Sequence, residues 1–134
     1  TAVNLKATGR CVIHIASSTQ IDALNESSKT LDYGVSEVCD AGIKLIAQEG
    51  FDLPRIKGAP VAMSGKVHQQ HTIGNAPQHV FYIELEHIYI DDQAVTKDAK
   101  GRFAINAKAI DPLARLGASE YSLLGELLVK KRPA

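Results

Sequence analysis

The groups of this chain that could carry chemistry are few and scattered. Glu84 and Glu86 stand two apart in the run His79 to Asp92, HVFYIELEHIYIDD. That spacing puts both carboxylates on one face of a strand, where a pair could do acid–base work. Two acidic residues on a solvated strand face are the commoner arrangement. Five histidines invite a metal. His68 and His71 are three apart, which in a strand sets them on opposite faces, and His14, His79 and His87 each stand alone in strand-like segments. No carboxylate or cysteine stands by them at ligand spacing, so surface or interface histidines are expected and no metal site. Cys11 and Cys39 have no C-x-x-C neighbour, which argues against thiolate redox or zinc chemistry. No G-x-S-x-G, P-loop or G-x-G-x-x-G is present. No catalytic residue is assigned, and any chemistry would come from a bound cofactor. Thr1 fits that idea: at a helix start, free amides and a hydroxyl favour an anion such as a phosphate. Most threonine caps bind nothing.

The elements that must position these groups can be read in order. Thr1 to Thr8 predicts a short helix, with Thr1 as its cap and Gly9 ending it. RCVIHIA is an alternating strand with Cys11, Ile13 and Ile15 inward and Arg10, Val12 and His14 outward. Ser17 and Gln20 have capping-box spacing before a second short helix, laid on a sheet or across its open end. A third helical turn runs between Ser36 and Gly42, and IKLIA is a short strand. Residues 48–60 are expected as loop, punctuated by Gly50, Pro54, Gly58 and Pro60.

Val61 to Ile73 is a long strand in which Gly65 suggests a bulge or a close backbone approach. It should pair antiparallel, through GNAPQ, with the run His79 to Asp92. In that run Phe81, Ile83 and Leu85 share one face, but Ile88 and Ile90 fall on the other. A bulge could cause this, or a strand that leaves one packing partner for another. IDPLARLGASEY is read as irregular, and the tail YSLLGELLVKKRPA as a helix or an extended arm.

At 134 residues with 45% apolar content, one globular domain is expected, mainly β with short helices. Fifteen basic and fifteen acidic residues leave no net charge, which argues against a nucleic-acid binder. The one cationic run, Lys130-Lys131-Arg132, reads as a solvated end. No apolar run reaches the ~18 residues of a membrane span, and no leader is visible, so a cytoplasmic protein with reduced cysteines is expected.

Several stretches, taken in order, resemble the flavin reductase-like family of FMN-binding split-barrel proteins. They are T-x-x-N-L-x-x-T-G with the strand after it (Thr1 to Ile15), ALNESS, GVSEVCDAGIKLI (Gly34 to Ile46), LPRIKGAPVAM (Leu53 to Met63), IELEHIYIDD (Ile83 to Asp92) and IDPLARLGASEY (Ile110 to Tyr121). The resemblance implies a split β-barrel, a homodimer, and FMN (with FAD as the alternative) held near the subunit interface. In the family a K-D-T-x-x-N stretch lies at the phosphate and ribityl end of the flavin, and Thr1 and Asn4 match its end. An RLGG-x-x-Y stretch lies near the flavin or the dimer contact. Arg115, Gly117 and Tyr121 match it, and Ala118 stands where the second glycine is typical.

Family members carry further strands before this point. Residues 1–134 are therefore expected to be the C-terminal two-thirds of a single domain, with the barrel incomplete at the N-terminus. The implied function is an FMN-binding oxidoreductase in which flavin N5 accepts hydride from NAD(P)H. The alternatives are a non-enzymatic flavin- or haem-binding split-barrel protein and a β-rich interaction domain without cofactor. The resemblance also gives the face change at His87 a cause, since the last third of that strand would meet the second subunit or the barrel rim.

Overall fold

The computed structural model of the chain describes residues 1–131 and 133. Arg132, part of the expected cationic run, lies outside the described residues. Helix α1 spans Ala2–Thr8, and Gly9 ends it in the left-handed region (φ 68°), its N–H donating to Leu5 O. Strand β1 is Arg10–Ile15. A 3-10 turn, Ser18–Gln20, leads into α2, Ile21–Glu26, and the Gln20 side-chain oxygen accepts from Ser17 N at 3.1 Å. Helix α3 is Glu37–Asp40, where the Ser36 hydroxyl accepts from Val38 N. Strand β2 is Leu45–Ile46, and β3 is Arg55–Ile56. The loop expected over residues 48–60 thus holds a short strand, paired with β2 and too brief to show a period of two.

Strands β4 (Val61–Ile73) and β5 (Gln78–Ile90) form a long hairpin, and β1 completes a three-stranded antiparallel sheet in the order β1-β4-β5. After a 3-10 turn, Asp92–Ala94, β6 (Val95–Lys97) and β7 (Phe103–Ile105) form a hairpin, and α4, Ala107–Ile110, follows. The stretch read as irregular closes as a small hairpin, β8 (Ala114–Arg115) with β9 (Tyr121–Ser122). No regular structure follows among the described tail residues, which favours the extended arm over the helix.

The β4–β5 register explains the face change. Ser64 pairs with His87, but Gly65 pairs with Leu85, so Glu86 is an extra residue on β5. A second irregularity makes His68 extra on β4. One inserted residue turns every later side chain to the opposite face. Gly65 is what permits the first bulge. A Cβ there would run into the Glu84 carbonyl oxygen and lie 2.8 Å from Ile83 Cγ2.

The faces of β1 are not split as expected, for both are partly covered and Ile13 alone is exposed. Ile13, read as inward, is 39% exposed, while His14, read as outward, is half-buried. The short elements decide this, because α2 and β3 both pack over the His14 side. Ile13, Met63 and Ile88 form the row on the open side, where Ile88 is 58% exposed. The buried apolar core of the described residues is small: Ala59, Val61, Ala62 and Ala94.

Replacing Gly65 by valine is expected to lower the free energy of unfolding by about 1–3 kcal/mol or more, the usual cost of forcing bulk into a packed site. Urea denaturation checks it; a G65V midpoint equal to that of the unaltered protein would refute the steric role of Gly65.

Candidate functional site

Thr1, which precedes α1, and Asn4, in its first turn, are three residues apart and so lie on one side of the helix start. Across from them runs the segment into α3. Together Thr1, Asn4, Tyr33, Gly34, Val35, Ser36 and Glu37 line an open cleft of about 330 Å³, of the size that takes a small molecule. Gly34 turns the chain there in the left-handed region (φ 92°). The Ser36 hydroxyl is committed to capping α3, but the Thr1 hydroxyl makes no capping bond. The first-turn amides of α1 lack partners within the helix, as at any helix start. Glu37 brings the one carboxylate in the lining. The cleft therefore offers donors at the Thr1–Asn4 side and an acidic group at α3.

Arg115, Gly117 and Tyr121 come together elsewhere, in the β8–β9 hairpin. Arg115 pairs with Tyr121, and its guanidinium lies 5.9 Å from the Tyr121 ring centroid. The Tyr121 hydroxyl donates to Asn25 Oδ1 at 3.3 Å, tying the hairpin to the end of α2. Gly117 O accepts from Glu120 N, which closes the turn. Ala118 sits at φ 48°, a conformation that a glycine would adopt without strain. A Cβ on Gly117 would meet nothing within 4 Å. None of these three residues lines the cleft at Thr1.

Glu84 and Glu86 are tied up in ion pairs. Lys66 Nζ lies 3.4 Å from Glu84 and 3.3 Å from Glu86, and Arg10 bridges Glu86 and Asp52. Pairing with Glu86 and Glu84 raises the Lys66 pKa. These carboxylates lie on a solvated face with cationic partners. Among the described residues, no three His, Cys, Asp or Glu side chains are grouped to hold a metal. Burial pushes the Cys11 thiol up, while Cys39 is exposed. No helix of the described residues is long and apolar enough to cross a membrane.

One constellation is not legible in the sequence. His14, Ala62 and Tyr89 stand in a single row across the sheet. Directly opposed residues point to the same side. Strand β3 crosses that row. Ile56 N donates to His14 Nε2 at 3.0 Å, and the Arg55 guanidinium carbon lies 3.6 Å from the Tyr89 ring centroid. His14 also lines a small apolar cavity of about 100 Å³ with Leu24, Ile43, Ile56 and Ala59. Its pKa is lowered, first by burial and then by the Arg55 charge. No motif spacing links these residues, and the only trace in the sequence is the small Ala62 between larger neighbours.

The architecture defines a strand-rich antiparallel domain with an open, polar cleft at the start of its first helix. Residues 1–107 match the family model described as the flavin reductase like domain, and the chain belongs to that family, with its split-barrel fold. A protein of Halalkalibacterium halodurans without a described function is 28% identical over 99% of this chain and 63% of its own length. A solved split barrel domain protein of Shewanella frigidimarina NCIMB 400 superposes with a TM-score of 0.83 at 23% identity, over 99% of this chain and 65% of that one. An FMN-binding domain of a flavin reductases-like enzyme from Shewanella baltica OS155 gives 0.71 at 17% identity, over 98% and 68%. The chain thus spans about two-thirds of the length of these relatives.

Because the folded state holds His14 neutral, its contribution to stability is complete above its ordinary value of 6.5 and is lost as pH falls from there toward the lowered folded value. His14→Gln keeps an acceptor for Ile56 N–H but does not titrate. The stability of the unaltered protein relative to H14Q is expected to shrink on going from pH 7.5 to 5.5, measured by urea unfolding; a constant difference would refute it.

Proposed function

We propose that the protein carrying this chain binds FMN and works as an NAD(P)H-dependent oxidoreductase, with residues 1–134 forming the C-terminal two-thirds of one domain. The observation that carries this is the shared cleft of Thr1 and Asn4, with an uncommitted Thr1 hydroxyl, in a chain of the flavin reductase like domain family. The FMN named for the Shewanella baltica relative supports the choice of flavin. The residues present fit the group: a hydroxyl, a carboxamide and free first-turn amides suit a phosphate and a polyhydroxyl chain. Thr1 and Asn4 would hold that end. When bound, the flavin would supply hydride chemistry at N5, with NAD(P)H as donor. The chain's own residues would bind and orient it, and no acid or base of the cleft is needed. Tyr121, tied to α2 through Asn25, and Arg115 beside it would meet the cofactor, the nicotinamide donor or a second copy in a homodimer. A cytoplasmic location fits this chemistry.

Flavin fluorescence quenching in the complete protein tests this directly. Thr1→Ala and Asn4→Ala are each expected to weaken FMN binding about tenfold or more, the usual loss of one hydrogen bond to a charged group. Glu37→Gln is expected to tighten it a few-fold by removing a like charge near the phosphate. An unaltered protein that quenches no flavin fluorescence would refute the proposal. Bound flavin without NAD(P)H oxidation would instead favour a non-enzymatic flavin carrier. Arg115→Ala is expected to raise KM for NAD(P)H while leaving FMN affinity within about threefold, as suits a residue outside the cleft.

A further inference from the structure

Arg55 is buried, at 9% exposure, and it pairs with no anion among the described residues. Its Nε donates to the neutral Gln48 Oε1 at 2.8 Å, and Nη1 reaches Ile56 O at 3.4 Å. The flat of the guanidinium rests on Tyr89. No carboxylate among the described residues lies within ion-pair distance of it. The more exposed Arg10 and Arg102 show the opposite, each paired with aspartate or glutamate. Electrostatics predicts the reverse, because a buried charge needs a counter-charge far more than an exposed one does.

The other side chains around it do not resolve this. His14 is the titratable neighbour, and it is held neutral with Nε2 accepting from Ile56 N. Nη2 donates to no described residue, yet no side-chain nitrogen of the described residues is both fully buried and without a partner. Nη2 is therefore not fully sealed from solvent. Packing holds the rest of the fork by its face, by Nε and by Nη1. A planar cation held on three sides, with a donor edge that still reaches solvent, is pre-organised for an oxyanion.

We infer that Arg55 is an oxyanion-binding residue, whose Nη2 edge receives a carboxylate or phosphate group of a small-molecule ligand at a site separate from the Thr1–Asn4 cleft. The two sources share the chemistry of a planar or tetrahedral array of acceptor oxygens. A phosphate source would be a nucleotide, and a carboxylate source an organic acid.

The probes are inorganic phosphate, pyrophosphate and acetate, each compared with chloride at matched ionic strength. The complete protein is titrated while the Arg55 Nε–H resonance and the thermal midpoint are followed. At least one probe is expected to shift that resonance saturably and to raise the midpoint by several degrees. Arg55→Met should abolish both responses, and Arg55→Lys should weaken them at least tenfold, since a point charge lacks the fork. Saturation by phosphate or pyrophosphate alone assigns the phosphate source, and by acetate alone the carboxylate source. If no probe moves the Arg55 resonance of the unaltered protein, the inference fails and Arg55 is a stacking cation only. The same holds if R55M keeps the full thermal response. FMN binding is read separately, so loss of one site does not imply loss of the other.

Discussion

The fold depends on one crossing, where β3 lies over the row His14–Ala62–Tyr89. Ala62 is fully buried there, and its small side chain leaves room for the strand above. A desolvated arginine on an aromatic face contributes roughly 2 kcal/mol. The Ile56–His14 hydrogen bond adds about 1 kcal/mol net, but would cost more if left unmade in this half-buried place. Neither large nor apolar, these contacts join the segment from Gly42 to Gly58 to the main sheet. In doing so they decide which face of β1 is covered.

The same crossing separates the chemical candidates. On the covered side stand a neutral histidine, a small apolar cavity and a cation paired with no anion among the described residues. On the solvated face, Glu84 and Glu86 are neutralised by Lys66 and Arg10. The Thr1 cleft belongs to neither. It is formed by the start of α1 and the turn before α3, two short polar elements with little core beneath them. The sheet carries the structure, and the loops and helix starts carry the proposed ligand groups.

Much of this was legible because it is local. Gly9 and Gly42 ending helices, Ser36 capping, and the long β4–β5 hairpin follow from residue type and short spacing. Gly65 predicted a bulge or a close approach, and both occur at one place. Strand β2 was expected, but its partner β3 and the β8–β9 pair were missed because a two-residue strand has no period to detect. Their pairing is set by what lies above and below them.

By itself the sequence determined the family, through an ordered set of motifs, and the positions of Thr1 and Asn4 on one side of a helix. These need only chain order and the helical repeat. Tertiary structure alone decided that β1 turns His14 to a covered side and leaves Ile13 exposed, and that Arg55 lies buried against Tyr89 with no carboxylate of the described residues beside it. It also set Arg115 and Tyr121 apart from the Thr1 cleft. The physical reason is common to all three. A strand's alternation says that two faces differ, but which one is covered depends on elements brought in from distant parts of the chain.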